Sequence, residues 1–163
     1  MASQEAVRLI QHTADSYGDS FKADLFEQYK LYVESADKIS ERRVAANNYL
    51  LTVNASLVTL YGFMAKNQYK SDWVILVPIA GALVALVWHQ IITSYRDLNT
   101  VKFSVIHEFE QYMPAAPYAY EWHKAERGKG KIYHPLTHLE RWVPFMFMGL
   151  YVSLVIFDVL AWI

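Results

Sequence analysis

Three groups of side chains sit where their chemistry is out of place. The first is a set of amides and hydroxyls, Asn47, Asn48, Thr52, Asn54, Ser56 and Thr59, at the start of and within an apolar stretch from Tyr49 to Ala65. Asn48, Thr52, Ser56 and Thr59 are spaced by four, four and three residues, which places them on one side of a helix. Acyl chains offer such groups no hydrogen-bond partner. The stripe therefore either bonds to neighbouring helices or subunits, or lines an aqueous pathway in an oligomer. The second is Asp158, an acid near the far end of the last apolar run. It either reaches the far interface or, in a ring of subunits, makes a ring of carboxylates of the kind that cation pores use.

The third group is histidine. His134 and His138 are four residues apart, and Glu108, Glu110, Glu121 and His123 are candidate neighbours. Two histidines without a third local ligand are surface or interfacial residues before they are a metal site, and neither a metal nor a cofactor is expected. There is no nucleophile elbow, phosphate loop or dinucleotide fingerprint. The absence of cysteine removes thiolate catalysis and thiolate metal sites. An enzymatic reading would have to rest on His123, His134, His138 and Glu121 acting on lipid head groups. The chain is expected not to be an enzyme.

The elements that carry these groups are helical and segregated by polarity. Of the 163 residues, 54% are hydrophobic and 19% charged, but the charge is concentrated in residues 1–48 and 93–141. The net charge of −1 gives no case for nucleic acid. Residues 1–19 read as a flexible tail with a turn near Val7 to Ile10, and residues 20–163 as a single membrane domain. A helix is expected over 20–65, running from a charged, heptad-spaced face (Leu25, Tyr29, Tyr32, Ala36, Ile39) into a first span. Arg42 and Arg43 before that span suit anionic head groups, as does Arg141 before the third.

Trp73 to Ile92 is the clearest span, with Trp73 and Trp88 as interfacial aromatics, a possible bend at Pro78 and a small pair, Gly81 and Ala85. Its helix is expected to occupy 71–113, with Leu98, Val101, Val105, Phe109 and Tyr112 as its packing face. At 1.5 Å per residue that helix is roughly 64 Å long. A turn over 66–70 makes the first two helices an antiparallel hairpin that extends into the cytoplasm. A cytoplasmic loop over 114–134 contains an amphipathic turn and a Gly-Lys-Gly-Lys tip. The segment 135–163 holds the third span, Trp142 to Trp162. Six Lys or Arg precede the first span, two follow it, and seven lie between the second and third. That bias puts the N-terminus in the cytoplasm and the C-terminus on the far side.

Several of these residues also carry a likeness. Ser35-Ala36-Asp37-Lys38-Ile39-Ser40 with Arg42-Arg43, then Asn47 and Asn54, then Tyr95-Arg96-Asp97-Leu98-Asn99 with Lys102, resemble the RipA-like family of small octameric bacterial membrane proteins over about residues 25–160. The resemblance implies a bacterial inner-membrane homo-oligomer, an octamer, and supplies no catalytic residues. The sequence thus predicts an all-α integral membrane protein with three transmembrane helices and a homo-oligomeric ring. Its function would be that of a non-enzymatic scaffold or pore-like assembly, with membrane lipids and its own copies as partners. The alternative is a signal-gated membrane effector of a bacterial defence or stress system, receiving a cytoplasmic ligand or protein. The layout is similar to SLATT effector domains, without a shared motif.

Overall fold

Helices start in this chain where a free N–H can be answered or is missing. The computed structural model describes residues 7–66, 73–128 and 140–162. Helix α1, Ala14–Tyr17, is a single turn closed by a capping box between Thr13 and Ser16. It replaces the turn expected near Val7 to Ile10. Helix α2 follows over Phe21–Lys66 without interruption. The Ser20 hydroxyl donates to the Asp24 carboxylate (2.7 Å) across its first turn. Helix α3 spans Leu76–Glu110, α4 spans Pro117–Lys124 and α5 spans Trp142–Trp162. A short 3-10 turn at Glu126–Gly128 follows α4. No strand occurs among the described residues.

Pro78, Pro117 and Pro144 all lie in the first turn of their helices, where the missing N–H breaks no bond. Pro78 therefore starts α3 rather than bending it. The turn expected over 66–70 lies outside the described residues from position 67 onward. So do the Gly-Lys tip beyond Gly128, His134 and His138.

The chain divides into two units, Met1–Ile39 with Leu98–His134, and Ser40–Asp97 with Pro135–Ile163. In the first unit the N-terminal part of α2 buries Leu25 and Ala36, and the C-terminal part of α3 buries Ile106 and Phe109. Tyr29 and Tyr32 both pack on Phe109, with ring centroids 6.2 and 5.9 Å apart. The α2 face is the one the heptad spacing predicts. The α3 face is only in part. Phe109 packs as expected, but Leu98, Val101 and, beyond the helix, Tyr112 are 44%, 57% and 53% exposed, and the packing side also carries Lys102, Ile106 and Glu110. Lys102 lies 4.6 Å over the Tyr32 ring and donates to the Ser35 hydroxyl (2.8 Å). Its stem covers apolar surface while its charge is answered. A search for uncharged positions passes over such a face.

In the second unit, Leu50 of α2 packs with Trp88 and Ile92 of α3, against Val143 and Phe147 of α5. Trp88 is fully buried within the chain. Two helices, α3 and the stretch Trp142–Leu160 of α5, are long and apolar enough to cross a membrane. The C-terminal part of α2 falls short of that measure, because Asn48, Thr52, Asn54, Ser56 and Thr59 dilute its apolar residues. Gly81 of α3 lies directly under the Tyr151 ring of α5, and a Cβ there would overlap three ring carbons. No such obstacle meets a Cβ at Gly62 or Gly149. Gly81→Ala should therefore cost about 1–3 kcal/mol of stability through overpacking, measured by denaturant titration in detergent. Gly149→Ala should be near neutral.

Candidate functional site

The polar residues of α2 divide between two sides of the helix. Asn47, Asn54 and Tyr61 are seven residues apart and turn inward. Asn47 Oδ1 accepts from Trp88 Nε1 at 3.0 Å. Asn54 is fully buried. Its Nδ2 donates to the Leu50 carbonyl (2.8 Å), and its own carbonyl accepts from the Tyr151 hydroxyl (2.9 Å). The Tyr61 hydroxyl donates to Asp158 Oδ1 at 2.7 Å. Asn54 Oδ1 and Asp158 Oδ2 are buried without a partner among the described residues. Asn47 and Asp158 thus bond between helices of one chain, and the Asn54 side chain bonds within its own helix.

Asn48, Thr52, Ser56 and Thr59 form the opposite side and are exposed on the single chain. Their hydroxyls are nonetheless satisfied. Thr52 donates to the Asn48 carbonyl (2.9 Å), Ser56 to that of Thr52 (2.8 Å) and Thr59 to that of Ala55 (2.9 Å). Such back-bonding lets a hydroxyl sit in an apolar setting at little cost. The stripe is open to a neighbour without requiring one for its hydroxyls. Of the three arginines read as head-group contacts, Arg43 ion-pairs with Glu140 at 2.7 Å, with about a fifth of each side chain exposed. Arg42 is exposed and Arg141 half-buried.

The sequence reading passed over two features. His89 packs against Phe145, with centroids 4.5 Å apart, and its Nδ1 is buried without a partner among the described residues, as is Thr93 Oγ1. A histidine in an otherwise apolar span was the available signal. The second feature lies in the other unit, where Glu110 is 2% exposed at the end of α3. Its Oε1 accepts from the Tyr118 backbone N–H and its Oε2 from that of Ala119, each at 2.8 Å. The Tyr29 hydroxyl adds a third bond at 3.3 Å. Ala116 has no side chain to cap α4, so this carboxylate, from a different helix, answers its free N–H groups and suits its positive end. Burial, and then the charge of Glu110, push the Tyr29 phenol up to about 12, so it remains a donor across the physiological range. Among the described residues no group of three or more His, Cys, Asp or Glu converges as metal ligands.

The sequence matches the model of the octameric membrane protein family (8xMP) over residues 26–160. The chain belongs to this family. No curated protein and no solved structure matches it. Membership in the octameric membrane protein family, with two helices suited to a bilayer, makes this a self-associating membrane protein. The match begins in the first turns of α2 and ends near the end of α5, so it covers the inward amides, the outward stripe and Glu110 alike.

The Glu110 cap gives a local expectation. Glu110→Gln keeps the size but turns an NH2 group toward one of the two backbone donors. The amide hydrogens of Tyr118 and Ala119 should then exchange at least tenfold faster, as α4 opens locally. Those of α5 should be unchanged.

Proposed function

We propose that this chain is a non-enzymatic subunit of a closed scaffold in a bacterial inner membrane, eight copies forming a ring. The observation that carries the reading is the division of polar groups on α2. The inward ones are engaged with their own chain, and the outward hydroxyls are answered by their own helix. What remains outward, beside the Asn48 amide, is a stripe of small hydroxyl side chains bonded to their own helix and suited to close contact with a neighbouring one. Asp158, the acid that a ring of carboxylates would use, instead accepts from the Tyr61 hydroxyl of its own chain through Oδ1.

The C-terminal part of α2 counts as a span in this reading although its composition alone is marginal. It bonds to both α3 and α5, the two helices suited to a bilayer, and so shares their depth. The excess of Lys and Arg before α2 and between α3 and α5 supports a cytoplasmic N-terminus and a C-terminus on the far side. Lipids and further copies of the chain are the partners that follow. Reconstituted octamers, confirmed by native mass measurement, should pass no more cations than empty vesicles, with or without Asp158→Asn. A cation flux that Ser56→Leu abolishes would replace the scaffold with a pore lined by Asn48, Thr52, Ser56 and Thr59.

A further inference from the structure

The unit formed by Met1–Ile39 and Leu98–His134 has more apolar surface than its own chain covers. One side of α3 packs on α2 through Ile106 and Phe109. The side left over carries Leu98, Val101 and Val105, spaced by three and four residues, with Tyr112 in the turn just beyond the helix. Leu98, Val101 and Tyr112 are exposed and Val105 is half-buried. These residues share a segment with Arg96, Asp97, Lys102, Glu108 and Glu110, a charge density that belongs in water rather than lipid. An apolar ridge of this kind on a water-facing helix marks a protein contact. The outward side of α2 in the same unit differs, because Glu27, Glu34 and Lys38 surround Leu31 there, with Glu34 and Lys38 paired at 2.7 Å.

The unit has a second apolar patch. Tyr120 and Trp122 of α4 are 63% and 42% exposed. Beside them Ala115, Ala116, Pro117 and Tyr120 line an open groove of about 510 Å³. Helix α4 is held to α3 by Glu110 and by Phe103, whose ring packs edge-on against Tyr118 at 5.9 Å. At about 100° per residue, Phe103 lies some 140–160° around α3 from Leu98, Val101 and Val105. The two patches therefore occupy opposite sides of the same helix.

We infer that the occupant of the α3 ridge is the α4 patch of a second copy of this chain. The family assembles as an octamer, so further copies are the partner at hand. Two different patches on opposite sides of a unit give a head-to-tail contact, and such contacts repeat around a ring until it closes. A self-complementary contact of the ridge with itself would stop at a pair. The Glu110 cap then has a role in assembly, because it fixes α4 in place to receive the neighbour's ridge. This contact is independent of whether the ring conducts.

The chain has no cysteine, so disulfide trapping has no background. Membranes carrying full-length Val101→Cys/Tyr120→Cys should give, on oxidation, a ladder of covalent species up to the octamer. Each single variant should remain monomeric on a denaturing gel. Efficient dimers from Val101→Cys alone would overturn the head-to-tail contact in favour of a symmetric one. So would a double variant that is octameric by native mass yet gives no ladder, since the ridge would then face lipid, another protein or water. Should the double variant fail to assemble, Leu98→Cys/Trp122→Cys tests the same contact, with the same two outcomes.

Discussion

The register between α2 and α5 is the constraint on which the membrane-suited unit depends. Arg43 meets Glu140, the Asn54 carbonyl meets Tyr151, and Tyr61 meets Asp158, each pair separated by 97 residues. A constant offset means that the two helices run parallel and stay in step over the whole length of contact. Apolar packing alone tolerates a slide of one turn. Three polar pairs do not, because a slide would separate the partners at all three sites and leave the buried ones, such as the Tyr151 hydroxyl, unanswered. The aromatic rings of Trp88, Phe147 and Tyr151 then fill the space between α3 and α5, and Gly81 makes room for the last of them.

The other unit solves a related problem with different chemistry. Its two helices run antiparallel, with Tyr29 opposite Phe109 and Glu110, and Ser35 opposite Lys102. Here charged residues are part of the packing side. Lys102 lies over Tyr32, and Glu110 is buried as the cap of α4. Three donors answer the buried Glu110, and the half-buried Lys102 is met by the Ser35 hydroxyl and the Tyr32 ring. In each unit, then, polar groups select the register and apolar groups supply the contact area.

Much of this was legible in the sequence where residue type and position say the same thing. The third span was predicted over the residues of α5, and α2 within a residue at each end, whereas α3, expected over 71–113, is shorter at both ends. The α2 face Leu25, Tyr29, Tyr32 and Ala36 follows from heptad spacing. On α3 spacing found Phe109 but not Lys102, Ile106 or Glu110, because two apolar sides compete and Leu98 and Val101 on the more obvious one are exposed. The spacing of Asn48, Thr52, Ser56 and Thr59 correctly gave one side of a helix, but no spacing shows that three hydroxyls bond back to their own helix. That the Trp88 indole is buried and donates to Asn47 was not legible, because interfacial and buried indoles look alike until the partner is found. The cap at Glu110 was illegible, since the donors it answers belong to a helix that begins seven residues later.

The account stands on the polar pairs that keep α2 and α5 in step, and a double-mutant cycle on the innermost side-chain pair tests it most directly. Tyr61→Phe, Asp158→Ala and the combined variant would be unfolded in mixed micelles and their stabilities compared. A coupling of about 0.6–2 kcal/mol is predicted for a hydrogen bond between membrane helices. Additive effects, with no coupling between the two sites, would contradict it.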